Sequence, residues 1–141
     1  MLARRSRVLV LFALVGFLSG CGNMTHAKEY AETAIGKFHS ELNSAAFGAI
    51  YDDTDDNFRK ATTREQFQKV LEAVHRKLGQ VTGTTTGDWS VRNYNLSTTV
   101  VLVQKTQFEH GSGTETFTYA VQGQGVKLMG YNIQSIDLIT L

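Results

Sequence analysis

The sequence predicts an α+β domain, with N-terminal helices packed on one face of a curved four-stranded antiparallel sheet. Three observations carry that expectation. Between residues 26 and 78, apolar side chains recur every three or four positions, the period of a helix with one buried face. After Gly79 they recur every second position, the period of a strand. The later segments are joined by short glycine connections, "HGSG" at 110–113 and "GQG" at 123–125, which suit hairpins and hence antiparallel neighbours. Helices grouped ahead of strands favour one helical layer on one sheet face.

The first helix is expected from about 26 to 42, with Thr25 or Asn23 as N-cap and Glu29 and Glu32 in its early turns. Ala31, Ala34, Ile35, Phe38 and Leu42 form its apolar stripe. A short second helix at 44–51 carries Phe47, Ile50 and Tyr51. The third opens on Thr62 and Glu65, which have capping-box spacing. Its stripe is Phe67, Val70, Leu71, Val74 and Leu78, and Gly79 ends it. Four strands follow in "DWSVRNYN", "TTVVLVQKTQFEH", "TETFTYAVQG" and "VKLMGYNIQSIDL". The start of the first is open, because "QVTGTTTG" ahead of it holds four Thr and two Gly. The 141 residues suffice for one domain and show no internal repeat.

Ahead of the helices lies a targeting pattern. "MLARRSR" at 1–7 is basic, "VLVLFALVGFL" at 8–18 is uncharged and apolar, and Ser19 and Gly20 are small. This is the layout of a secretory signal peptide. Eleven helical residues span about 16 Å, against the roughly 30 Å of a bilayer core, so the run is too short for a transmembrane anchor. Leu18-Ser19-Gly20-Cys21 resembles the lipobox of bacterial lipoproteins. That resemblance implies cleavage before Cys21, a diacylglyceryl group on its thiol and acylation of the new amino group. More than one acyl chain is what stable anchoring requires. Because Cys21 is the chain's single cysteine, its lipidation leaves no thiol nucleophile and no disulfide. With Gly rather than Asp at position 22, the resemblance implies the outer membrane, facing the periplasm, in a Gram-negative cell. The expected layout is a signal peptide over 1–20, lipidated Cys21 with a short tether over 21–27, and one α+β domain over 28–141. Extended, Gly22 to Ala27 would reach about 20 Å.

The domain also carries a resemblance. "FHSELNSAAFGAIYDD", "FRKATTREQFQKVLEAVHRKLGQV" and "GYNIQSIDL" resemble a bacterial domain of unknown function found in small secreted or lipid-anchored proteins. The element order resembles the cone-shaped fold of nuclear transport factor two and its cystatin-like relatives. Such folds host isomerases, dehydratases and many non-catalytic binding modules, so no activity transfers with them.

Charge narrows the partners. Three of the fourteen basic residues lie in the first seven positions, so the remainder sets eleven basic against thirteen acidic residues, a net of −2. That is not the footprint of a nucleic-acid binder.

The acidic run Asp52-Asp53-Thr54-Asp55-Asp56-Asn57 has the oxygen ligands a hard cation wants. Read as an EF-hand loop from Asp53, however, it places Phe58 where glycine is needed and Arg64 where the bidentate Glu belongs. An acidic loop with Asp capping a turn is the simpler reading. His39 and His75 flank apolar stripes; a pair bridging helices would bind metal or move protons, while the blander reading is the edge of the core. His26 is assigned to the tether and His110 to a turn. Tyr51, Trp89, Phe108, Phe117, Tyr119 and Tyr131 either line a cavity or form the core. Glu115, sharing parity with Phe117 and Tyr119, and Asp137, with Tyr131 and Ile133, are the acids available on strands. No Gly-x-Ser-x-Gly and no His-rich zinc signature occurs.

These readings lead to an expectation of a lipid-anchored envelope protein with no catalytic residue, metal or cofactor. Its domain is expected to bind a protein or small molecule. A pocket enzyme of the same fold and a structural component forming a homodimer through its sheet face are the alternatives.

Overall fold

A computed structural model describes residues 22–140 and bears out the α+β expectation. Cys21 and the lipobox lie outside the described residues. Helix α1 spans Gly22–Asn43, α2 Phe47–Asp52, α3 Asp56–Ala61 and α4 Arg64–Leu78. Strands β1 (Val81–Tyr94), β2 (Ser97–Phe108), β3 (Gly111–Gln122) and β4 (Gly125–Gln134) follow, then a one-turn helix α5 (Asp137–Thr140). The sheet is an open antiparallel meander in the order β1-β2-β3-β4.

Helix α1 differs from expectation at its start. It is helical from Gly22, so the six residues read as an extended tether form its first turns, and Thr25 and His26 lie within it. Ala27 is 2 % exposed and extends the stripe Ala31, Ile35, Phe38 and Leu42 by one turn. An apolar residue at i−4 from Ala31 continues a helical face, and burial of that face outweighs the weak start signals at Asn23 and Thr25.

The stretch from 44 to 63 holds two short helices instead of one. Asp55 accepts the Phe58 amide at 2.7 Å and starts α3. Helix α4 begins one residue later than the spacing suggested: the capping box is Thr63 with Gln66, not Thr62 with Glu65. Thr62 remains extended, and its carbonyl accepts the Tyr51 hydroxyl at 3.0 Å. Along α4, Phe67, Leu71, Val74 and Leu78 are buried, whereas Val70 is exposed. Gly79 ends the helix at φ 77°, ψ −157°, a region open essentially to glycine alone. A Cβ there would strike Glu109.

Strand β1 starts at Val81, inside the stretch left open, with its edge irregular between Thr86 and Trp89. The opposite edge is met at Leu128, where Asp55 N donates to Leu128 O (2.9 Å) and Leu128 N to Asp53 O (3.1 Å). The acidic loop is thus partly buried rather than fully solvated, with Thr54 at 0 % exposure.

The inner sheet face is layered. Val100, Tyr119 and Leu128 form one layer; Leu102, Phe117 and Tyr131 form the next. Helix α1 lies over them, bringing Phe38 to 5.0 Å from the Phe117 ring and 4.8 Å from Tyr131. Antiparallel order puts the β1–β2 and β3–β4 turns at one end of the sheet, and the β2–β3 turn at the other. The N-terminus of α1 is at the first end. Its C-terminus is at the second, where Asn43 exchanges two hydrogen bonds with the Val81 backbone.

The β1–β2 turn breaks a local rule. Its central residues Asn95 and Leu96 have φ of 46° and 64°. Positive φ at both positions is what a type I′ turn needs, and Asn-Gly is its usual sequence. Leucine in this region costs about 1–2 kcal/mol. Leu96→Gly should therefore stabilise the domain by about 1 kcal/mol, after allowing for the looser unfolded chain. Thermal melting reads this as a rise of roughly 4–8 °C; no rise would mean that the turn carries no strain.

Candidate functional site

The sequence-selected residues divide into a buried polar cluster, a small cleft and a solvated remainder. The cluster centres on Glu115, which is 0 % exposed. Strand parity turns its side chain inward beside Phe117, and pairing sets it opposite Gln104 on β2 and Ile133 on β4. Thr106 Oγ1 donates to its Oε2 at 2.6 Å, and Tyr131 OH donates to its Oε1 at 2.7 Å. His39 Nε2, from α1, lies 2.7 Å from Oε2. The network continues across the sheet: Thr84 donates to Gln104 at 3.0 Å, and the Gln104 amide donates to Thr86 at 3.0 Å. A polar seam therefore runs from buried Glu115 on β3 through Thr106 and Gln104 on β2 to the more exposed Thr84 and Thr86 on edge strand β1, capped by one histidine.

Sequence reasoning placed His39 at a core edge and gave Glu115 the correct parity, but did not join them. They are 76 residues apart. The usable signal was a helix-flanking His together with an acid at an inward strand position. Only α1 lying across β3 brings the two into contact.

Burial pushes the Tyr131 phenol well above its ordinary value, with the Glu115 charge and hydrogen bond adding to it. Tyr119 is raised by burial first and then by Glu115. Both native phenols hold their protons where the unfolded chain loses them. Their contribution is full below about pH 10 and falls as pH rises beyond it. Stability measured by urea titration should decline above pH 10. Substituting Phe for Tyr119 should flatten the decline; an unchanged slope would remove Tyr119 as its source.

The cleft, of about 200 Å³, lies between α1, α2 and the β3–β4 end of the sheet. Ala34, Phe38, Ile50 and Leu128 supply apolar walls; Lys37, Asp53 and Tyr119 supply polar groups. Lys37 pairs with Asp53, and Lys127 Nζ reaches the other Asp53 oxygen at 3.4 Å. Burial alone would raise the Asp53 carboxyl, but the Lys37 hydrogen bond and the charges of Lys37 and Lys127 outweigh it and hold it below its ordinary value. Three of the four aspartates of the acidic run spend oxygens within the fold, and Asp56 is exposed. Asp52 pairs with Arg64, Asp53 with two lysines, and Asp55 caps α3. Among the described residues, no three His, Cys, Asp or Glu stand together as metal ligands.

The other expectations resolve individually. His75 does not meet His39; its ring lies 5.9 Å from Phe47. His26 is on α1 beside Glu29, not in a tether, and His110 is in the β2–β3 turn as expected. Asp137 is not on a strand: it begins α5 and accepts the Ser112 amide at 3.0 Å. Gly111 makes room for it, since a Cβ at that position would overlap the Asp137 side chain. Of the six aromatics, Tyr51, Phe108, Phe117, Tyr119 and Tyr131 belong to the core or pack against it. Trp89 is 44 % exposed on edge strand β1, with Lys28 Nζ 5.7 Å from its ring.

The class that fold and site define is an α+β domain of helices on one face of an open antiparallel sheet. No protein-family model matches the chain, and no curated protein or solved structure matches it. Among the described residues, no helix is long and apolar enough to cross a membrane.

Proposed function

We propose that the chain is an envelope lipoprotein, held to the membrane by acyl chains on Cys21, whose domain is a non-catalytic binding module. One observation carries the reading. Leu18-Ser19-Gly20-Cys21 follows a basic segment and an eleven-residue apolar run, the arrangement of lipoprotein processing signals. In a Gram-negative cell, Gly22 makes the outer membrane the destination, with the domain in the periplasm.

The non-catalytic reading is supported by the state of Glu115, the acid on the inner sheet face. General acid–base work needs a group within reach of a bound substrate. Glu115 is fully enclosed, its oxygens already occupied by Thr106, Tyr131 and His39. The 200 Å³ cleft between α1, α2 and the sheet suits a small moiety or a partner's side chain.

Mass spectrometry of the mature N-terminus tests the anchor. Cleavage before Cys21 with two or three acyl chains on that residue is expected. An unmodified Cys21, or a mature start elsewhere, would overturn the reading. Cys21→Ser should leave the precursor uncleaved or move the protein from the membrane to the soluble fraction.

A further inference from the structure

We propose that the β1–β2 hairpin tip, Tyr94 and Leu96, is a second membrane contact, dipping into the headgroup region of the phospholipid leaflet that holds the Cys21 acyl chains. The inference rests on the lipoprotein reading, and adds an orientation and an interaction surface to it.

Position is the first argument. Cys21 immediately precedes Gly22, the first residue of α1. The opening turns of α1 share a cleft with the outer ends of the strands: Met24 and Ala27 face Val91, Asn93 and Thr98, with Val121 beside them. Gly22, which follows the proposed attachment residue in the sequence, and the β1–β2 hairpin are therefore at the same end of the described residues. Their reach is comparable. Gly22 stands about 7.5 Å along the helix axis from Ala27. The Leu96 tip projects about 7–10 Å past the Asn93–Thr98 rung. A leaflet that takes acyl chains on Cys21 thus lies against the hairpin tip.

Chemistry is the second argument. Leu96 is fully exposed (109 %), Tyr94 is 78 % exposed and Met24 44 % exposed, so three large apolar side chains face solvent at this end. Residues 22–27, 92–97 and 121–126 surround it and contain one permanent charge, Arg92. The corresponding segments at the other end, 76–81, 107–112 and 134–139, contain Arg76, Lys77, Glu109 and Asp137. A nearly uncharged rim with a tyrosine, an aliphatic tip and one arginine matches the membrane interface. Aromatic rings settle there at headgroup level, and arginine finds phosphate.

The turn itself is the third. Leucine at φ 64° is locally unfavourable and buries nothing within the domain. A strained, solvent-facing leucine where glycine would fit marks a place where the side chain serves a contact outside the fold.

Tryptophan fluorescence on the full, lipidated protein tests this. In a Trp89→Phe background the chain has no tryptophan, so one can be introduced by Leu96→Trp, Tyr94→Trp or Ile139→Trp. Ile139 is 83 % exposed but lies beyond β4 at the opposite end, which makes it the control for general stickiness. Each variant is reconstituted into phosphatidylethanolamine–phosphatidylglycerol vesicles with or without brominated acyl chains. The Leu96→Trp and Tyr94→Trp proteins should lose roughly half their emission or more in brominated vesicles, as expected for a ring at the interface. Ile139→Trp should be unaffected. Absence of quenching at 94 and 96, or equal quenching at 139, in protein whose Cys21 mass confirms lipidation would overturn the hairpin contact and leave the anchor standing. Absence of lipid on Cys21 would overturn both.

Discussion

Glu115→Ala should destabilise the domain by about 3–5 kcal/mol, the range for removing one partner of a buried charged or strongly polar pair. Three groups lose their acceptor or contact together: Thr106 Oγ1, Tyr131 OH and His39 Nε2. Thr106, at 1 % exposure, gains no water in exchange. A buried group left unpaired costs about 1–3 kcal/mol. For a domain whose whole stability is of order 5–15 kcal/mol, the loss takes a large share. Urea titration of the variant reads it directly. Glu115→Gln keeps an acceptor for Thr106 or Tyr131 and should recover part of the loss. A change below about 1 kcal/mol for the alanine variant would mean that water fills the site and that the seam does not organise the core.

Phe117→Ala should cost about 3–5 kcal/mol through a cavity that its neighbours cannot close. Phe117 is 0 % exposed, with the Phe38, Tyr131 and His39 rings at 5.0, 5.2 and 5.8 Å. Those rings come from α1 and β4, so the residue joins the helical layer to the sheet. Phe117→Leu, which keeps most of the volume, should cost clearly less. The double variant with Glu115→Ala should fall short of the sum of the two, because both residues act on His39 and Tyr131. Exact additivity would separate the polar seam from the aromatic layer.

The anchor and the hairpin tip concern different parts of the chain. The proposed signal at Cys21 is a linear pattern: the order of charge, apolar run and small residues. The tip depends on three-dimensional neighbours: nothing local connects Leu96 to Gly22. Stability and function also pull apart there. Leu96→Gly is expected to make the domain more stable while removing the side chain proposed to face the leaflet, a trade common at functional surfaces.

The class of fold was legible because it rests on periodicity. The α4 stripe and the inward set Glu115, Phe117 and Tyr119 follow from periods of 3.6 and 2, which any burying face must obey. Stops were legible where one residue type has no substitute: Gly79 occupies a backbone region that other side chains avoid. Boundaries were less legible. Thr62 and Thr63 are chemically equivalent caps in the linear sequence. Tertiary structure holds Thr62 extended, with its carbonyl on Tyr51, and leaves Thr63 to cap. Asp137 fell in a strand-like run, yet turns into α5 to reach the Ser112 amide. Ala27 joined the helix because the sheet end offered it a buried place.

By itself, the sequence determined the α+β class and the strand parity that faces Glu115 inward, and it carries the Leu18-Ser19-Gly20-Cys21 pattern on which the proposed anchor rests. Only the tertiary structure decided that His39 and Glu115 meet across 76 residues, that Asp52, Asp53 and Asp55 are engaged by Arg64, two lysines and the start of α3, and that Leu96 stands at the same end as Gly22. The physical reason is range. Period, capping and steric exclusion act within a few residues and leave their mark on the local pattern. Which side chain answers a buried carboxylate depends on how a helix lies across a sheet, and that is settled by the packing of the whole core.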